Sequence, residues 1–246
     1  MDTLGWLLPD WPAPPQVRAL MTTRLGGVSL PPYASMNLAT HVGDNIDHVK
    51  QNRQRLRQIL DLSLEPLWLN QIHGTHIVDV ASATETCDAD GSFARGVQRP
   101  CVVMTADCLP LLICDSQGTQ VAAVHAGWRG LLNGAVEAAI VRFDAPVEEL
   151  LVWMGVAIGP EYFEVGDEVR EAFLLRDPNA GEAFVATSAG KWLANIYLLA
   201  RLRLASLGIT AVYGAEGCSY ADERLFFSYR RQRDCGRMAA LIWIQE

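Results

Sequence analysis

The sequence predicts an α/β (α+β) mixed-sheet sandwich, with residues 1–246 forming a single domain. Three observations lead there. Strand-like and helix-like segments follow one another irregularly and do not alternate as strict βαβ units. Half of the 246 residues are hydrophobic, enough for a sizeable core. No internal repeat, low-complexity tract or linker-like shift in composition divides the chain.

The elements follow in order. After an opening that carries Asp2, Pro9 and Pro12, residues 17–22 read as the first strand. Gly26-Gly27 and Pro31-Pro32 then mark a loop. Asp44 is placed to cap a helix reaching about Leu60, because Ile46, Val49, Leu56 and Leu60 share one face. Residues 67–69 and 76–80 read as short strands around a His73-Gly74 turn. Apolar runs at 102–105, 111–114 and 121–124 make a β-rich middle. Leu132, Ala135, Val136, Ala139 and Ile140 recur at helical spacing, so a helix is expected over 129–143. A strand at 150–154, a loop at 155–166 and helices over 167–176 and 191–207 follow, the last stopping at Gly208. Strands at 211–213, 225–229 and 238–244 complete the chain.

Composition excludes several classes. No basic leader precedes an apolar core, and no apolar run approaches the ~20 residues of a membrane span, so a cytoplasmic protein without a membrane partner is expected. Six cysteines are too sparse for a disulfide scaffold, and Cys101 and Cys114 fall inside strand-like runs as small hydrophobes. A net charge of −8 argues against a nucleic-acid partner, which needs a basic face. One local exception is the run Arg224, Arg230, Arg231, Arg233 and Arg237. It is either a solvated arginine-rich hairpin or one edge of a pocket for an anionic substrate. No Gly-x-Gly-x-x-Gly or Walker-type loop is present, so dinucleotide and P-loop binding have no support.

The chemistry concentrates where apolar runs stop. One ends in Ala106-Asp107-Cys108, another in His125-Ala126-Gly127-Trp128-Arg129, and His73 follows a third. His73, Cys108 and His125 can form an open zinc site with three protein ligands, a thiol–imidazole catalyst, or a purely structural staple. Gly127 lets the chain turn toward a helix whose free N–H groups, with Arg129, would cradle an anion. Asp107 can orient a histidine, serve as an acid–base group or simply cap a strand end. His41 reads as a loop hydrogen-bonder or a pocket residue, and Arg24 as a second anion contact or a tie for its glycine loop. His48 and His76 read as peripheral.

At these residues the chain resembles the YfiH-type "laccase-domain" family. The matching segments include Thr23-Arg24-Leu25-Gly26-Gly27, Ser35-Met36-Asn37-Leu38, His41-Val42-Gly43-Asp44, Gln71-Ile72-His73-Gly74, Thr105-Ala106-Asp107-Cys108, His125-Ala126-Gly127-Trp128-Arg129-Gly130 and Phe227-Ser228-Tyr229-Arg230-Arg231. The resemblance covers essentially the whole chain. It implies that His73, Cys108 and His125 are the metal-binding and catalytic trio, with zinc the usual metal. It also implies that Arg24, Asn37, His41 and Arg129 line a nucleoside and phosphate pocket. The implied fold is the sandwich shared with the cysteine-hydrolase domain of cytotoxic necrotising factor. Glu161 and Tyr162 stand where many relatives carry cysteines, so any extra thiol ligand there is absent or replaced.

Three activities follow from the resemblance. The first is phosphorolysis of adenosine, inosine and methylthioadenosine, with adenosine deamination; a monomer or weak homo-oligomer would act on a purine nucleoside and phosphate. The His-x-Glu and Pro-Cys-x-x-Cys signature of zinc nucleobase deaminases is missing, so deamination would use another geometry. The second is Cys–His hydrolysis editing a peptidoglycan precursor. The third, a copper polyphenol oxidase, fares worst, because five histidines without a His-x-His pair are too few for a multinuclear copper cluster. Copper bound in vitro would be one adventitious ion at the zinc site.

Overall fold

Twelve strands and five α-helices build a mixed α+β architecture in a computed structural model that describes residues 5–83 and 86–245. In chain order they are β1 (Val17–Met21), α1 (Ile46–Ile59), β2 (Ile77–Asp79), β3 (Gly91–Arg95), β4 (Cys101–Thr105), β5 (Leu109–Asp115) and β6 (Gln120–Ala126). Next come α2 (Trp128–Asn133), α3 (Ala135–Ile140), β7 (Leu150–Met154), β8 (Glu164–Gly166) and α4 (Asp167–Arg176). The remainder is β9 (Phe184–Ser188), β10 (Lys191–Ala194), α5 (Ile196–Ser206), β11 (Val212–Gly214) and β12 (Met238–Ile244). A six-stranded sheet runs β11-β7-β5-β6-β3-β2, a three-stranded sheet runs β1-β12-β4, and a smaller one runs β8-β10-β9.

The alternation of side chains along the central strands explains the layering. On β5, Leu109, Leu111 and Ile113 face a core shared with Leu131, Val136, Val169, Phe173 and Leu199 of the helices. Leu112 and Cys114 face the opposite way, into a core shared with Cys101, Val103, Met238, Ala240 and Ile242 of the three-stranded sheet. The far face of that sheet, Val102, Met104, Ala239 and Leu241, packs on Leu56 of α1 with Trp6 and Trp68. Helices, six-stranded sheet, three-stranded sheet and α1 therefore form four layers. Each fully buried Leu or Ile contributes about 1.5–3 kcal/mol of transfer free energy, which is why β5 and β6 are apolar on both faces. Among the described residues, no helix is long and apolar enough to cross a membrane.

Several elements differ from expectation for identifiable reasons. The helix over 129–143 is broken at Gly134, whose φ of 101° ends α2 and starts α3. The helix over 191–207 begins only at Ile196, because Lys191–Ala194 pairs as β10 and the Asn195 side chain accepts the Leu198 N–H as cap. The cap of α1 is Asn45, while the Asp44 carboxylate is taken by Ser29 and Asn37. Residues 67–69 and 225–228 are buried, and neither they nor exposed Tyr229 join a ladder; the Leu225 and Phe226 carbonyls accept instead from the Arg24 N–H and the Arg231 guanidinium. Strands β3 and β9 were not anticipated, and β8 lies within the expected loop.

Candidate metal centre and its cavity

Cys108 leaves the tight connection between β4 and β5, where Asp107 holds a left-handed φ of 98°. Three contacts stabilise that conformation. The Asp107 carboxylate accepts the Ser219 hydroxyl at 2.6 Å and the Arg230 N–H at 2.7 Å, and its carbonyl accepts the Ile158 N–H at 2.9 Å. Asp107 is thus a latch between segments distant in sequence, not a partner of a site histidine.

The partner is Asp90, immediately before β3, which sequence reasoning missed. Its carboxyl is fully buried and accepts from the Ile72, His73 and Gly74 N–H groups at 3.2, 2.9 and 2.5 Å. The same carboxylate accepts from Nδ1 of His125, near the end of β6, at 2.8 Å. One side chain therefore fixes one imidazole through its ring and the other through its backbone, where His73 adopts a φ of 59°. Burial opposes ionisation of Asp90, but the hydrogen bonds from His125 and from the Gly74 and Ile72 N–H groups prevail and hold it below the usual carboxylate range.

With Nδ1 committed to Asp90, Nε2 of His125 is the ring atom left for Cys108. One ligand atom each from His73, Cys108 and His125 lies within 4.8 Å of the others, and the rings of His73 and His125 are 4.8 Å apart. Desolvation works against charging His125, yet its interactions with Cys108 and Asp90 outweigh it and push its pKa up to about 9. His73 moves downward through partial desolvation and the neighbouring charge of His125. The folded value of His125 stands above its ordinary 6.5, so its stabilisation is complete below about pH 6.5 and is lost as pH rises through about 9. Metal binding to that nitrogen must displace its proton. Zinc affinity is accordingly expected to rise between pH 6.5 and 9 with proton release at pH 7, measured calorimetrically in buffers of different ionisation enthalpy; uptake without proton release would contradict the assigned protonation.

The donor set suits a borderline-soft ion such as zinc, with two imidazoles, one thiolate and a carboxylate behind them. Space supports the fit as well. A Cβ on Gly127 would stand 2.8 Å from His73 Nδ1 and 3.0 Å from Cys108 Sγ, filling the hollow between the ligands. Its φ of −63° is open to any residue, so glycine is required here by room and not, as expected, by the turn. Gly127→Ala is expected to fold, because the added methyl meets side-chain ends, but to lose metal affinity at least about tenfold, read by chelator competition.

The trio lies in a cavity of about 500 Å³ that is also lined by His41, Gln71, Thr105, Asp107, Trp128, Arg129, Ile158, Phe163, Ile196, Tyr229, Arg230 and Arg237. His41 and Arg129 are thus among the residues that line the cavity. Arg24 and Asn37 do not line it. The Arg24 guanidinium donates to the Ala34 and Glu223 carbonyls and lies over Phe227. Asn37 is fully buried, donating to Ala39 and Asp44 and accepting from the Ala39 and Arg237 N–H groups. Both brace the loop instead. The six-residue α2 is too short to act as a strong dipole, so the anion reading rests on arginines. His76 bonds the Asp88 carbonyl and stays outside the trio.

An α+β sandwich with a two-histidine, one-cysteine cluster in a basic cavity defines a candidate metal-binding protein. The chain belongs to the multi-copper polyphenol oxidoreductase laccase family, whose model matches residues 18–245, and within it to the YfiH-type proteins. It is similar to a purine nucleoside phosphorylase of Pseudomonas aeruginosa, 49% identical over 98% of this chain and 99% of that one. The Escherichia coli purine nucleoside phosphorylase YfiH is 48% identical over 97% of this chain and 98% of its own. Among solved structures, a DUF152 protein of Neisseria meningitidis superposes with a TM-score of 0.95 at 47% identity, covering 98% of this chain and 99% of that one. YlmD of Geobacillus stearothermophilus reaches 0.93 at 31% identity, covering 100% of this chain and 98% of that one.

Proposed function

We propose that the chain is a zinc-dependent purine nucleoside phosphorylase acting on adenosine, inosine and methylthioadenosine, with adenosine deamination as a second activity of the same centre. The observation that carries this reading is the convergence of His73, Cys108 and His125 in a cavity that also holds Arg129. The names of the relatives supply the reaction class. In phosphorolysis the glycosidic C–N bond breaks, a C–O bond to phosphate forms, and the purine leaves with a proton. Zinc held by His73, Cys108 and His125 would supply Lewis acidity toward an oxygen at an open coordination position. Arg129, without an ion pair among the described residues, holds the phosphate through charge-assisted hydrogen bonds. Asp90 fixes the ring of His125 and the backbone of His73. Ile158, Phe163 and Ile196 give the cavity an apolar wall that shields a cationic sugar from water. Six free cysteines support a reducing, cytoplasmic setting, and we take the protein to be a monomer or weak homo-oligomer.

A second reading has its own observation. Asp90 accepts from Nδ1 of His125, and a ring nitrogen of the same imidazole lies within 4.8 Å of the Cys108 sulfur, as a Cys–His hydrolase would require. This arrangement would serve hydrolytic editing of a peptidoglycan precursor. A multicopper oxidase needs more ligands than the single three-residue cluster found among the described residues. Metal content measured together with phosphate-dependent purine release from adenosine decides. About one zinc per chain and release that requires phosphate are expected. A metal-free protein that is fully active, and inactivated by alkylation of Cys108, would establish the hydrolase.

A further inference from the structure

The geometry points to a second phosphoryl-binding wall in the cavity, made by Arg230 and Arg237 and separate from Arg129, which recognises a phosphorylated purine nucleoside (a nucleoside monophosphate). The purine part rests on the function proposed above; the phosphoryl part rests on the arginines alone.

Three guanidiniums line the cavity, and each lies against an aromatic ring that lines it too. Arg129 stands 4.5 Å from the centre of Trp128, Arg230 5.7 Å from Phe163 and Arg237 5.6 Å from Tyr229. None of the three joins a carboxylate ion pair among the described residues. Asp107, the acid in the lining, has its oxygens occupied by the Ser219 hydroxyl and the Arg230 backbone N–H. Ring faces orient a guanidinium without cancelling its charge, which a carboxylate would do. In a chain of net charge −8, three uncompensated cations around one concavity are built to receive anions.

The free donors come from different elements. Arg230 spends only Nη1 on the protein, at the Tyr162 and Glu164 carbonyls. Arg237 likewise spends only Nη1, at Cys235 and the Gly236 carbonyl. Nε and Nη2 of both have no protein acceptor among the described residues, a fork suited to phosphate oxygens. Arg231 provides the contrast, since its guanidinium is used up on the Ser219, Tyr220 and Phe226 carbonyls. The walls differ as well. Arg129 belongs to α2 in the helical layer, two residues past Gly127. Arg237 precedes β12 of the three-stranded sheet, with its N–H on buried Asn37. A phosphate beside the metal trio engages Arg129 and leaves the other two guanidiniums for another phosphoryl group.

The test is calorimetric titration of the full-length protein with adenosine and with adenosine 5′-monophosphate, together with the KM for inorganic phosphate. The monophosphate is expected to bind at least about tenfold more tightly than adenosine. Arg237→Gln and Arg230→Gln should each bring that ratio toward one, and Arg237→Lys should restore part of it. Arg129→Gln should raise the KM for inorganic phosphate while the ratio persists. Equal binding of the two ligands by the unaltered protein overturns the proposal. So does an Arg237→Gln protein that loses affinity for inorganic phosphate with the ratio unchanged, because the wall would then serve the free anion. If adenosine is neither bound nor cleaved while the monophosphate binds and responds to Arg237, the nucleoside reading fails and the second wall stands.

Discussion

Cys108→Ala is expected to abolish phosphate-dependent purine release, by about a thousandfold or more, while the protein stays folded with a melting temperature within a few degrees of its parent. The two halves of this expectation have separate causes. Cys108 is only partly buried, at the cavity and outside the two apolar clusters that flank β5, so its truncation opens no cavity in the core. The adjoining connection is secured by Asp107 and not by the thiol. Chemically, however, the sulfur is one of three donors within 4.8 Å, and removing it leaves two imidazoles. The measurements are steady-state kinetics, metal content and thermal unfolding on one preparation. Retained turnover would remove Cys108 from the phosphorylase and the hydrolase readings alike.

Asp90→Asn is expected to cost more in stability, about 3–5 kcal/mol, and to weaken metal binding about 10- to 100-fold. All four partners of the carboxylate are donors: the Ile72, His73 and Gly74 N–H groups and His125 Nδ1. An amide in either orientation must point its own NH₂ at one of them. Turned toward His125, it opposes the His73 N–H on the same oxygen and forces the ring proton onto Nε2, the atom that faces Cys108. Turned the other way, it opposes the Ile72 and Gly74 N–H groups that flank His73. Because the folded pKa of Asp90 is depressed, its stabilisation is complete above the unfolded value of about 4 and is lost as pH falls through the folded one. Denaturant unfolding and chelator competition read the two effects. Unchanged metal affinity in a folded Asp90→Asn protein would show that the clasp does not position the ligands.

The central strands were legible because burial on both faces forces an unbroken apolar run, as in Leu109–Asp115 and Gln120–Ala126. Helix α4 was legible to the residue. The small sheet was not, since β9 is exposed after Phe184 and carries no alternation, and Lys191–Ala194 merges without a break into the helix that follows. Helical spacing continues across Gly134, so the apolar pattern hides a break that a left-handed glycine imposes. In the site, residues that end apolar runs stood out. Asp90 did not, because Asp88-Ala89-Asp90-Gly91 reads as a turn and nothing local ties it to a histidine 35 positions away. Arg230 and Arg237 were visible as part of a basic run, but only tertiary contacts separate them from Arg231, whose donors are taken by carbonyls and whose charge is paired with Glu223.

The position of β12 carries a kinetic consequence. It is the middle strand of its sheet, pairing Val17↔Ile244 on one side and Met238↔Thr105 on the other. Neither β1 nor β4 has a ladder in that sheet until residues 238–244 arrive, although β5, β6 and β7 can pair among themselves much earlier in the chain. Loop closure across more than 200 residues is slow compared with the local hairpin of β5 and β6. Arg237 of the arginine wall directly precedes that late strand, whereas the clasp on His125 belongs to the earlier sheet. During refolding, the capacity to take up a metal should therefore return before the capacity to retain a phosphorylated ligand, making the second a timer for completion of the fold.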